Sequence, residues 1–177
     1  MPTYKKRLLT EGILLHDTGT TQDHKAIEAW LNVNGRTNGL LFCGYHFIIK
    51  PDGGLVQTRP HDTVGSHAHN SKLNKTTVGV ALVGGMKTRA GPDGEPIAYP
   101  ADTFTDAQKY TLAYLWLDYL PWAYGGKELW LRGATESRPE WEALRYPRRI
   151  DPAIADMEAL RVSLKDQATL KAWRPTT

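Results

Sequence analysis

The chain has 177 residues, 41% hydrophobic and 23% charged, with a net charge of +3. That is enough for one compact domain with a real core, and the composition argues against a fibrous, disordered or repeat protein. The single cysteine, Cys43, rules out an internal disulfide, and the weak, scattered basic bias gives no stripe for nucleic acid.

The opening MPTYKKRLLTEG has no apolar signal-peptide core, and no stretch is long enough to span a bilayer. The expectation is a chain that stays in the cytoplasm unless another route releases it. Lys5, Lys6 and Arg7, like Arg145, Arg148 and Arg149 late in the chain, read mostly as solvated surface. GILLHDTG is an apolar run closed by turn residues, a buried strand over Ile13 to His16. Thr21 can cap a helix from about Gln22 to Val33. NGRTNGLLFCG is a loop, and Cys43 within it reads as a buried, inert thiol. YHFIIKPDGGLVQTRP is a hairpin turning at Pro51 to Gly54, and TVGVALVGG is a Val-rich buried strand.

Residues 86 to 102 read as a polar, proline-rich loop. Thr105 and Gln108 have capping-box spacing and open a helix whose apolar face is Leu112, Leu115, Trp116, Tyr119 and Leu120, with Pro121 helping to end it. The strand LWLR follows from Leu129. In DPAIADMEALRVSL, Asp151 reads as a cap, Pro152 as the first helical residue, and Ile154, Met157, Leu160 and Leu164 as the stripe. The tail after about Lys165 has little pattern and is expected to be loosely ordered. Strands and helices alternate irregularly, so the expected fold is a single α/β domain, residues 1 to 177, with a mixed central sheet flanked by helices.

The candidate chemistry lies in six histidines. His24 and His61 read as structural. His16 ends a buried strand, where sites in α/β sheets form. Tyr45 and His46 should point to opposite faces of a strand, so at most one enters a given cleft. His67 and His69 share a face if their segment is extended. No HExxH, paired CxxC, phosphate loop or GxSxG elbow is present.

Taken together, ILLHDTGT, GYHFIIKPDGGLVQTRP, VGSHAHNSKLNKTTVGVALVGG and FTDAQ resemble the zinc-dependent N-acetylmuramoyl-L-alanine amidases of the bacteriophage-lysozyme and peptidoglycan-recognition-protein type. The resemblance is close from Gly12 to Arg132 and looser beyond. It implies that His16 is the first zinc ligand and Tyr45 a catalytic tyrosine beside the metal. It places His67 and His69, with Asn70 or Asn74, along the substrate groove. RGATESRP then matches the family's Gly-His segment, with Glu136 as the acid and Pro139 as the proline. RRIDP matches the last segment, with Asp151 as third ligand and Arg149 where the family has a catalytic lysine. The insert EWEALRYPR separates the two.

Ala134 stands where the resemblance calls for the second zinc-binding histidine, and alanine has no donor atom. Catalytic zinc usually takes three protein ligands and one open position. The implied activity is hydrolysis of the bond between the lactyl group of N-acetylmuramic acid and L-alanine, as in a phage endolysin released by a holin-like partner, here impaired by Ala134. The competing reading is an inactive amidase fold that holds a muropeptide or another small anion without cutting it. An active enzyme with a rearranged metal shell ranks below both. If the assignment is right, His16 and Asp151 should converge near Tyr45.

Overall fold

The computed structural model describes residues 4–20, 44–137 and 151–170. The expected first helix with Thr21 and His24, together with Cys43, Pro139, Arg149 and the EWEALRYPR insert, lies outside the described residues.

Strand β1 (Gly12–Asp17) is buried along its whole length. Strands β2 (Phe47–Ile49) and β3 (Leu55–Gln57) form the expected hairpin. A short helix α1 (Ser71–Thr76) leads directly into β4 (Thr77–Leu82), which is also wholly buried. Then come β5 (Met86–Ala90), β6 (Pro96–Pro100) and helix α2 (Asp106–Tyr114). After α2 the chain makes a wider π turn over Leu115–Tyr119 and a last helical turn, α3 (Leu120–Ala123). Strand β7 (Trp130–Gly133) and helix α4 (Met157–Leu170) complete the order.

The main sheet runs β3-β2-β4-β1-β7, with β2, β4, β1 and β7 parallel and β3 antiparallel to β2. The central strands β1 and β4 are covered on both faces, which is why they read as continuous apolar runs rather than alternating ones. Ile13, Leu15, Val78, Val80 and Leu82 point into the main core, against Leu112, Leu115 and Trp116 on one side of the sheet and Leu160 and Leu164 of α4. Ile48, Ala81 and Val83 form a smaller cluster joined by Tyr45 and Val56.

The capping box at Thr105 and Gln108 is present in full. Gln108 is completely buried, and its amide nitrogen also donates to the carbonyls of Ile49 and Val83 at 3.0 and 2.9 Å, which ties α2 to the ends of β2 and β4. Pro121 does not end the helix. In an α-helix its ring would strike the carbonyl four residues back. The π turn, where the Leu120 N–H reaches Leu115, widens the backbone just before it, and the helix stops instead at Gly125 and Gly126, both at positive φ.

Four further expectations need correction. Residues 86 to 102 hold a two-stranded antiparallel arm, turned at Gly91 to Glu95, rather than a loop. Its strands are largely exposed, so they carry no buried face for the periodicity to reveal. The last helix starts at Met157, not at Pro152. Asp156 caps it through the Ala159 N–H at 2.8 Å, while the Asp151 carboxylate is engaged elsewhere. The helix also runs on through Leu170, past the expected start of the tail at Lys165; residues 171–177 lie outside the described residues. Arg7, finally, is buried rather than solvated. Its guanidinium donates to the carbonyls of His61, Thr63 and Thr77 and to the hydroxyls of Thr10 and Tyr124, and burial lowers its pKa.

The outer edge of β7 is closed by side chains. The Trp116 indole donates to the Leu129 carbonyl (2.6 Å), Arg161 to the Leu131 carbonyl (3.1 Å), and Gly133 N–H to Glu136 (2.7 Å). Among the described residues no helix is long and apolar enough to cross a membrane.

Candidate functional site

Alternation along β1 sends Ile13 and Leu15 into the main core and turns Leu14 and His16 toward a cleft on the opposite face. The cleft, about 140 Å³, is lined by His16, Tyr45, His67, Ala134, Ser137 and Asp151, with His69 and Asn70 at its rim. The parallel pairing of β1 with β4 and β7 is what brings these distant segments together.

His16 is the hub. Its Nδ1 lies 3.2 Å from Asp151 Oδ2, and its Nε2 lies 3.1 Å from His67 Nδ1. The Tyr45 ring centroid stands 5.1 Å from that of His16. His16 and Asp151 therefore do converge near Tyr45. His46 does not line the cleft but packs behind it, its ring centroid 5.6 Å from that of His67. It is fully buried, accepts from Gly79 N–H at Nδ1 and donates from Nε2 to the Thr63 carbonyl, and burial pushes its pKa down to about 3.

His67 sits over two glycines. A Cβ on Gly65 or Gly79 would come within 2.4 Å of its ring, so the backbone of β4 must be bare there. Burial, and then the neighbouring His16 and His46, hold the His67 pKa well below the ordinary histidine value.

Asp151 is held from several sides. Its backbone N–H donates to Thr135 Oγ1 (2.7 Å), and its carbonyl accepts from Thr135 N–H (2.9 Å) and Oγ1 (3.1 Å). Its Oδ1 accepts the Asp17 N–H at 2.9 Å. Asp17 in turn accepts from Ala153 and Gly19, and its carboxylate lies so close to Gly85 that a Cβ there would meet it at 2.5 Å. Sequence reasoning missed Asp17 and did not foresee Thr135 as the residue that clips Asp151 in place. Asp17 was within reach as a carboxylate at a strand end; Thr135 carried no signal apart from its neighbour Ala134.

Other expected site residues have different work. Asn70 accepts from the N–H groups of Lys72 and Leu73 as the N-cap of α1. Asn74 accepts from the N–H groups of His67 and Ala68 and donates to the Ala68 carbonyl, which fixes the turn that carries His67. Glu136 does not line the cleft. Its carboxylate takes the Gly133 N–H and a two-pronged ion pair from Arg161, both prongs at 3.1 Å. It borders a larger groove of about 970 Å³ behind β7, with Trp116, Trp130 and Arg132. Charged groups in that groove neutralise one another through Arg161, Glu136 and Glu158, so the smaller His16 cleft is the better candidate for chemistry. Ala134 lies beside His16 and Asp151 as the pattern required, 7% exposed, with its N–H bonded to the Leu15 carbonyl at 2.9 Å.

The hydrogen-bond wiring bears on a metal. Thr77 Oγ1 donates to the Leu73 carbonyl at 2.7 Å, so toward His67 Nε2, 3.4 Å away, it can only accept. That places the His67 proton on Nε2 and leaves its Nδ1 to accept from His16 Nε2–H. His16 Nδ1 then faces the Asp151 carboxylate, a pairing that needs a proton or a metal ion between the two atoms. Two ligands about 2.0–2.1 Å from a tetrahedral zinc are roughly 3.3–3.4 Å apart, close to the separation seen. Yet among the described residues no group of three histidine, cysteine, aspartate or glutamate side chains is arranged to hold a metal ion. His16 and Asp151 make one edge of a shell, and Ala134 supplies nothing for the next corner. The described residues thus do not complete a catalytic zinc site.

Comparison with known proteins places this geometry in context. A family model described as N-acetylmuramoyl-L-alanine amidase matches residues 6–125. The endolysin of Klebsiella phage KP32 is 36% identical over 116 residues, 63% of this chain and 68% of that protein. The endolysin of Enterobacteria phage T3 is 34% identical over 112 residues, with the same coverage. Among solved structures, the amidase LysC of Clostridium intestinale superposes with a TM-score of 0.55 at 21% identity, over 93% of this chain and 94% of that one. Bumblebee PGRP-SA does so with a TM-score of 0.56 at 18% identity, over 77% of each. These superpositions show a shared fold. The family match ends before Ala134 and Asp151.

Proposed function

Since the chain belongs to the N-acetylmuramoyl-L-alanine amidase family, we propose that it is an endolysin-type peptidoglycan amidase domain whose hydrolysis is limited by Ala134. Its bond is the amide between the lactyl group of N-acetylmuramic acid and L-alanine. The observation that carries this reading is the convergence of His16, Tyr45 and Asp151, from three separate segments, on one cleft with Ala134 beside them. Asp151 and His67 hold the His16 ring from both nitrogens and so fix its orientation. Tyr45 is suited to donate to the oxygen on which negative charge develops when the amide carbonyl is attacked. His69, exposed at the rim, is placed to meet the glycan or the peptide stem. Arg149 keeps the positive charge of the lysine it replaces but is a poor proton carrier. In this reading the protein waits in the cytoplasm and reaches the wall through a holin-like partner.

The second reading, capture of a muropeptide without cleavage, draws on the same alanine. One comparison separates the two: bound zinc and soluble peptide released from purified peptidoglycan, for this chain beside Ala134→His. The proposal expects little zinc and slow release from the chain as it stands, and recovery of both with histidine. Fast, zinc-dependent release without the substitution would overturn the limiting role of Ala134. Recovery of neither would favour capture.

A further inference from the structure

We propose that Arg132 is a carboxylate anchor beside the cleft: its guanidinium, laid on the Trp130 ring, takes a free carboxylate from the peptide stem of a muropeptide. This rests on the muropeptide reading given above and adds which end of the ligand lies over β7.

The first argument is placement. In the parallel pairing of β1 with β7, Gly12 stands beside Trp130 and Leu14 beside Arg132. Side chains alternate along a strand, and Leu129 and Leu131 enter the main core. Trp130, Arg132 and Ala134 therefore share the opposite face, which is the face of the cleft. Leu14 and Ala134 line the cleft, and Arg132 lines the groove behind β7. Arg132 thus marks the border between the two hollows, about 6.5 Å along the strand from Ala134.

The second argument is preparation. A Cβ on Gly12 would run into the Trp130 ring, so the indole lies against bare backbone. The Arg132 guanidinium carbon stands 4.9 Å from the centre of that ring. Stacking of this kind steadies the planar fork without using its N–H groups. Arg132 is exposed, and among the described residues it makes no ion pair. Glu136 and Glu158 in the same groove are held by Arg161, and Glu128 is not paired with Arg132.

The third argument is charge. In a muropeptide the lactyl carboxyl is consumed in the amide to L-alanine, so the free carboxylates belong to the stem. An extended stem advances about 3.3–3.6 Å per residue. With the scissile amide at Ala134, a carboxylate on the second stem residue falls about where Arg132 stands. Carboxylate and guanidinium form two parallel N–H···O bonds, a match that an amide lacks.

The test is calorimetric titration of the full chain, with a chelator present to prevent cleavage. The probes are N-acetylmuramoyl-L-alanyl-D-glutamate and its diamide. The parent chain should bind the acid about fivefold tighter than the diamide. Arg132→Gln should lose that preference while holding the diamide as the parent does. Arg132→Lys, a charge without the fork, should keep only part of it. Lys87→Gln, which removes an exposed cation from the β5–β6 arm, should keep all of it. Equal binding of acid and diamide by the parent would overturn the inference and leave the functional reading intact. So would a preference that survives Arg132→Gln, or one lost equally in Lys87→Gln, the mark of a diffuse field. Loss of both probes alike in Arg132→Gln would overturn it too. Binding of neither probe by the parent would bring down the muropeptide reading as well.

Discussion

At the scale of single residues, the strand end at His16 was legible on its own, and the family resemblance foretold the rest of the cleft better than it foretold each member's task. His16, Tyr45 and Asp151 meet as the pattern required. Asn70 and Asn74 were read as groove residues, but the amide that can bind a substrate is also the group that caps a helix or ties a turn, and only the fold decides between them. Glu136 was misplaced because it shares a segment with Ala134 while its side chain leaves the other way, to Arg161. The Glu136–Arg161 pair is partly exposed, so Glu136→Gln should cost only about 1 kcal/mol in urea unfolding and leave muropeptide capture unchanged. A loss of capture would return Glu136 to the cleft. Gly79→Ala is the sharper substitution. Its Cβ would press on the His67 ring, so we expect a loss of about 1–3 kcal/mol and weaker muropeptide binding. Unchanged stability and unchanged binding together would show that His67 has room to move.

At the scale of elements, local signals were legible and unlocalised ones were not. The capping box of α2 is contained in four residues, so the sequence displays it whole. Thr105 Oγ1 also donates to the Pro51 carbonyl, at 2.6 Å, so Thr105→Ala should lower the unfolding free energy by about 1–2 kcal/mol. A thermal midpoint within error of the parent chain would contradict this. The β5–β6 arm escaped detection because neither strand buries a face, although its turn, GPDG, was visible. The start of α4 was misread for a different reason. An aspartate followed by proline is a proper helix-opening signature, but here tertiary contacts claim the Asp151 carboxylate and Asp156 does the capping.

At the scale of the whole molecule, the mixed sheet was foreseen but its strand order was not, since pairing joins segments that no local pattern links. The burial of His46 between β4 and the Thr63 loop gives the fold an acid sensitivity. Folded and unfolded forms are both neutral there at pH 7. As the pH falls through 6.5 the unfolded chain takes up a proton that the folded chain refuses until about pH 3. Stability should therefore decline steadily across that window, by an amount on the order of several kcal/mol, and His67 acts in the same direction. Urea midpoints at pH 7 and pH 4.5 check this; a midpoint that holds or rises on acidification would contradict it. The bonds between Thr135 and Asp151 have a different kind of consequence. These residues stand 16 apart in sequence yet are fastened to each other, so the chain leaves and re-enters the site through a single knot. Doubling the length of what lies between costs only about 0.6 kcal/mol of closure entropy. The clip therefore sets Thr135 against Asp151 almost regardless of how many residues separate them, so length there is a free variable, whereas the residues that line the cleft are not.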